Sequence, residues 1–262
     1  MRAPLTLVAL LLVTSCAATP HAETPSAAPD TLRPEVLEVR PHDPTAFTQG
    51  FEIADGVLYE GTGLEGASAI RALDPETGAV RRAEPLPADV FGEGITVVDD
   101  TIWQLTWRNG IAFRWDRASF AELDRVGYDG EGWGLCHDGA RLVMSDGTAE
   151  LTFRDPETFA ETGRVEVRDA GGDPVERLNE LECVDGVVYA NVWQTDRIVR
   201  IDPATGDVTA TVDLTGLLPE EDSAGADVLN GIAAISGTDE FLVTGKLWPK
   251  LFRVRFVTEL DG

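Results

Sequence analysis

Five residues able to move a proton or hold a polar atom recur at one place in an internal pattern: Gln49, Glu93, Glu131, Asn179 and Asn230. Each opens a segment that reads polar residue, short apolar run, turn, second apolar run. The five are QGFEIADGVLYEGTG, EGITVVDDTIWQLTW, EGWGLCHDGARLVMSDG, NELECVDGVVYANVW and NGIAAISGTDEFLVTGK. On or just after the second run lie Glu60, Trp107, Asp146, Trp193 and Lys246, with Trp133 two residues past Glu131. A carboxyl walled by indoles resists ionisation and can trade a proton near neutral pH. Amides and an ammonium can hold an oxygen as it gains charge. The same oxygens would also suit calcium, which takes about six to eight oxygen ligands. Two plainer readings stand beside these: tryptophans packing between sheets, and carboxylates capping turns or binding backbone amides.

These residues converge only if the repeat is radial. The segments begin 44, 38, 48 and 51 residues apart, spacings that mark propeller blades or similar arrays. A third strand follows each segment and ends in a turn such as Asp74-Pro75-Glu76-Thr77-Gly78 or Asp202-Pro203-Ala204-Thr205-Gly206. In such turns Pro presets φ, Asp caps the loop and Gly takes positive φ. The runs alternate and are rich in β-branched residues, with no helical period. The chain is therefore predicted to be all-β, a five-bladed β-propeller of four-stranded antiparallel blades over residues 34–262. The fifth copy has little sequence left for a fourth strand. Glu35–Val39 is expected to supply it and close the ring.

A formal charge of -25 excludes a basic nucleic-acid-binding face. The only lysines are Lys246 and Lys250, both in GKLWPK. Residues 1–15 fit a secretory leader too short to span a membrane. Val13-Thr14-Ser15-Cys16 is similar to a bacterial lipoprotein box, so Cys16 is the expected lipidation site; cleavage near Ala17 or Ala18 is the alternative. Residues 16–33, rich in Ala, Pro and Thr, read as a flexible tether. The expected location is the cell envelope, exported and touching the membrane only through that lipid. Cys136 and Cys183 then remain, both on first strands, where neighbouring blades would let them bond; two buried thiols are the alternative. Their spacing and the lack of His partners argue against zinc.

The stretches FTQGF, LYEGTG, FGEGIT, QLTWR, GEGWGL, MSDGT, LNELE, YANVW, DVLNGIA and GKLWPKLF, in this order, resemble the glutamine cyclotransferase family of plants and bacteria. The resemblance runs from about Thr45 to Phe252. It implies a five-bladed propeller that converts the N-terminal glutamine of peptides or proteins to pyroglutamate, releasing ammonia without a catalytic metal. It also implies that Glu93 is the essential acid and Asn179 a substrate-binding amide. Trp107, Trp133 and Trp193 then line the pocket, Phe47 and Gln49 stand at its wall, and Lys246, in preference to Lys250, is the active-site lysine. No cofactor is expected for catalysis; a structural calcium in the channel fits every reading. A closed ring gives no reason to expect more than a monomer. A calcium-dependent, lactonase-like hydrolase and a non-catalytic peptide-binding propeller are the competing functions.

Overall fold

The computed structural model describes residues 29–258. The expected leader, Cys16 and most of the expected tether lie outside them. The described residues form twenty strands and one short 3-10 turn, Glu220–Asp222. Three four-stranded antiparallel sheets come first. One comprises β2 (Thr48–Ala54), β3 (Val57–Thr62), β4 (Ala69–Leu73) and β5 (Val80–Pro85). The next comprises β6 (Gly92–Val98), β7 (Thr101–Thr106), β8 (Ile111–Asp116) and β9 (Glu122–Gly127). The third comprises β10 (Leu135–His137), β11 (Leu142–Ser145), β12 (Glu150–Arg154) and β13 (Glu161–Glu166). An eight-stranded sheet holds the rest: β14 (Leu178–Val184), β15 (Val187–Val192), β16 (Arg197–Ile201) and β17 (Val208–Asp213) in one half. The other half is β18 (Leu229–Ala234), β19 (Glu240–Gly245), β20 (Lys250–Thr258) and β1 (Asp30–Pro41).

As expected, β1 pairs antiparallel with β20, from Leu32 opposite Thr258 to Pro41 opposite Lys250. It starts earlier than expected. Asp30–Leu32 also run parallel to Ala210–Val212 of β17, and Leu32 is buried against Val212. Residues 30–33, assigned to the tether from composition, are therefore strand: the apolar anchor Leu32 and the free edge of β17 outweigh a turn-rich composition.

Local chemistry explains the turns. Asp55-Gly56 and Asp185-Gly186 close their hairpins with positive φ at both residues, the geometry that matches strand twist. The Asp74 carboxylate accepts the N–H groups of Glu76 and Thr77, and Asp155 does the same for Glu157 and Thr158.

The first strands β2, β6, β10, β14 and β18 border one another in turn and return to β2. Glycine permits this close approach. A Cβ on Gly50 would lie 2.4 Å from the Ile95 nitrogen on β6, and one on Gly134 would lie 2.1 Å from the Asn179 carbonyl oxygen on β14. Glu180 stands where the other copies have glycine. Its carboxylate accepts Phe51 N–H of β2 and Ile232 N–H of β18, bridging the last gap. Apolar residues between adjoining sheets form the core, while β5 is exposed throughout.

Candidate active site

The start of every first strand and the end of every second strand lie at one end of the molecule, since each hairpin turns back at the other. There a pocket of about 390 Å³ opens. Phe47, Gln49, Glu93, Trp107, Trp133, Asn179, Trp193 and Lys246 all line it, together with Phe91, Gln194, Asp227 and Val228. Lys250 instead begins β20 and is ion-paired with Asp222.

Glu93 sits at the centre, 4% exposed. Its Oε1 accepts a hydrogen bond from Gln49 Nε2 at 3.0 Å, whereas its Oε2 is buried with no partner. Gln49 is held in that orientation because Asn230 Nδ2 donates to its Oε1 at 3.2 Å and to the Thr48 carbonyl at 3.0 Å. Burial pushes the Glu93 carboxyl well above the ordinary range; the Lys246 charge opposes this and Glu131 reinforces it. Burial likewise lowers Lys246, against the pull of Glu93 and Asp227. Lys246 Nζ lies 4.9 Å from the centre of the Phe47 ring. Asn179 Oδ1 is a second buried polar atom without a partner. The pocket therefore holds a carboxyl oxygen and an amide oxygen ready for a ligand's N–H groups.

Aromatic rings make the walls. Phe91 packs edge-on against Phe47 and tilted against Trp107, and Trp133 meets Trp193 edge-to-face. Packing explains the other tryptophans: Trp103, Trp115 and Trp248 are buried in the core. Gln194 at φ 62 and Leu247 at φ 60 flank the pocket in the left-handed region, strain of the kind found where side chains must be aimed.

Four residues expected at this end do not line the pocket. Glu131 stands behind two of the indoles. Its Oε2 accepts Trp107 Nε1 at 2.8 Å and Trp133 Nε1 at 3.0 Å, and its Oε1 accepts Arg108 Nε at 2.8 Å. Burial raises its carboxyl, but those three donors outweigh it and hold the group below the usual range. The cause is a register offset in the third copy. Gly94 N–H donates to the Trp133 carbonyl, and Gly134, not Gly132, faces Asn179. Trp133 thus occupies the position equivalent to Gln49 and Glu93. Asn230 lies beneath Gln49, as described. Asp146 caps its own turn at Thr148. Glu60 is buried in a charge network with His42, Thr48 and Arg71. His42, in the loop between β1 and β2, is buried; both ring nitrogens face acceptors, Glu60 Oε1 at 3.1 Å and the Trp248 carbonyl at 2.8 Å. Burial lowers its pKa, but those acceptors outweigh it and the net shift is upward.

Phe91 and Val228 were missed although a signal existed. Phe91 lies two residues before Glu93 as Phe47 lies two before Gln49, and Val228 two before Asn230. Nothing in the sequence marks Gln194 or Asp227. Three further acids lie on first strands away from the pocket, Glu180 and Glu182 buried and Glu52 half-buried, and loss of solvent raises all three, Glu52 to about 7. Cys136 on β10 and Cys183 on β14 are joined in a disulfide. Among the described residues no group of three or more His, Cys, Asp or Glu side chains is placed to hold a metal ion.

Fold and pocket together define an all-β, propeller-like protein with a polar-centred, aromatic-walled cavity at one end of its axis. Residues 7–256 match the family model described as glutamine cyclotransferase. The glutaminyl-peptide cyclotransferase of Arabidopsis thaliana is 41% identical over 226 residues, covering 84% of this chain and 70% of that protein. The crystal structure of Myxococcus xanthus glutaminyl cyclase superposes with a TM-score of 0.82 at 38% identity, over 89% of this chain and 100% of that one. The chain belongs to the glutamine cyclotransferase family.

Proposed function

We propose that this protein is a glutaminyl-peptide cyclotransferase, closing N-terminal glutamine to pyroglutamate in the pocket around Glu93. The observation that carries this reading is a buried carboxyl with one oxygen fixed by Gln49 and the other unpartnered, inside a wall of indoles. The substrate's α-amine attacks its own γ-carboxamide carbon. A carbon–nitrogen bond forms, the former amide nitrogen departs as ammonia, and no other reactant is needed. Because the nucleophile is already tethered, holding the side chain folded back supplies much of the acceleration. Trp107, Trp133 and Trp193 favour the neutral amine by excluding water. Glu93, as carboxylate, takes the proton from the attacking nitrogen and passes it to the leaving one. Its raised pKa suits both transfers. The Lys246 charge and the Asn179 amide stabilise the oxygen that gains charge. Gln49 is committed to orienting Glu93, so its part is positioning.

The continuous border of five first strands supports reading the fold as five blades. Glu93 and Lys246 between them supply the proton transfer and the charge, so the reaction is read as independent of metal. The Cys136–Cys183 disulfide supports an oxidising compartment, in keeping with export and a lipid anchor at Cys16. Mass spectrometry of the membrane fraction, with Cys16→Ser as control, tests the anchor. The test of function is ammonia release from glutaminyl peptides by pure protein, with and without chelator. Turnover insensitive to chelator is expected; folded protein with no rate above the spontaneous one refutes the proposal.

A further inference from the structure

The charges that would serve the reaction are buried, yet the mouth of the pocket carries one that the reaction does not use. Of the residues lining the pocket, Asp227 alone is both charged and exposed. Its backbone is fixed from both sides: its N–H donates to the Lys246 carbonyl, and its carbonyl accepts the Trp248 indole N–H at 2.8 Å. Its Oδ1 accepts the Val228 N–H. The carboxylate thus stands at a set place where a peptide chain would leave.

The face around it is acidic, and several of its acids are left without cationic partners. At the opposite end of the sheets some turn acids meet arginines, Asp55 with Arg117, Asp74 with Arg81, Asp138 with Arg141 and Asp239 with Arg255, whereas others such as Asp99, Asp185 and Asp202 make no ion pair among the described residues. On the mouth face, Asp89, Asp129, Asp146, Glu176 and Asp196 lie in the connecting loops. Like Asp227, they make no ion pair among the described residues. The arginines of these loops are Arg108, Arg168 and Arg177. The first two are engaged by Glu131 and Glu166, and Arg177 bonds the Gln194 amide. A negative mouth above a pocket holding unpartnered Glu93 Oε2 and Asn179 Oδ1 focuses its field on whatever chain enters.

We propose that the mouth selects cationic peptides, those in which lysine or arginine follows the N-terminal glutamine. This rests on the cyclotransferase reading, which seats the glutamine tip at Glu93 and brings the next residue, about 3.5 Å further along the chain, toward Asp227. The pairing is exposed and long-range, so it acts mainly on encounter and weakens with salt.

The test compares Gln-Lys, Gln-Ala and Gln-Glu peptides of one common tail, by kcat/KM for ammonia release at low and near-physiological ionic strength. The order Lys over Ala over Glu is expected, spanning about tenfold at low salt and narrowing as salt rises. Asp227→Asn should shrink the Lys-to-Glu ratio by about 1.5- to 5-fold, the worth of one exposed pair. Because the readout is a ratio, any change in overall rate cancels. Tryptophan-fluorescence titration with the same peptides gives a Kd ratio independent of turnover. Equal kcat/KM and Kd across the series, or a preference for Glu, overturns the proposal while leaving cyclisation standing. A Lys preference in Kd with no turnover of any peptide upholds the mouth and refutes cyclisation instead.

Discussion

Changing Glu131 to Gln probes how far the pocket depends on a residue outside it. Three donors converge on this carboxylate: two indole N–H groups and the Arg108 guanidinium. Gln keeps the shape but offers one acceptor oxygen and one amide, so at least one donor must face another donor. Hydrogen bonds to charged groups contribute about 1.5–3 kcal/mol and neutral ones about 0.5–1.5. Neutralising the acceptor of both indoles would then cost roughly 2–3 kcal/mol in a dry site. The Glu131 side chain is 36% exposed, so solvent screening cuts this to about 1–1.5 kcal/mol. That loss falls on the placement of Trp107 and Trp133, which in the cyclotransferase reading wall the substrate. The assay is kcat/KM for a Gln-Ala peptide, where a fall of about tenfold is expected. Thermal unfolding should shift by only a few degrees. An E131Q protein within twofold of wild type would refute the reasoning that this carboxylate sets the tryptophans.

Burial holds the Glu93 carboxyl above the normal range, and the shuttle needs it as carboxylate at the moment of attack. The acid limb of kcat/KM should therefore rise with pH at a midpoint well above 4.5; a limb in the usual carboxylate range contradicts that role. Glu52, half-buried and raised to about 7, binds its proton more tightly folded than unfolded. Its contribution to stability is present at low pH and lost as pH rises from about 4.5 through 7, by up to roughly 3 kcal/mol. Glu52→Gln should flatten that part of the urea-unfolding curve against pH, and an unchanged slope counts against it. Gly134→Ala puts a Cβ 2.1 Å from the Asn179 oxygen. The backbones must part, so a loss of about 2 kcal/mol or more in unfolding free energy is expected, together with weaker peptide binding through Asn179; unchanged stability and Kd would contradict it.

The ring of polar residues was legible because the repeat encodes it: a polar residue at the head of each first strand, followed by glycine in every copy but the fourth. Gln49, Glu93 and Asn179 follow directly, while Phe47 came only from the family resemblance. Glu131 did not, since the third copy carries Gly132 and Gly134 in one segment, and only the contact of Gly134 with Asn179 fixes which glycine belongs to the ring. The sequence favours Lys246 over Lys250, although both follow β19 within a few residues. The backbone path between Gly245 and Lys250 decides it. The acids Glu52, Glu180 and Glu182 read as ordinary strand residues. Their burial comes from closing the first strands on one another, which no local pattern reports. His42 escaped for the same reason: its partners, Glu60 and Trp248, come from the two ends of the ring.

The most direct measurement is the rate of ammonia release from a Gln-Ala peptide by Glu93→Gln, alongside the Kd of that peptide for the same variant. Loss of a positioned acid–base group predicts a rate about 10²- to 10⁴-fold below wild type with Kd within a few-fold. Wild-type turnover in the variant would show that Glu93 carries no proton in this reaction.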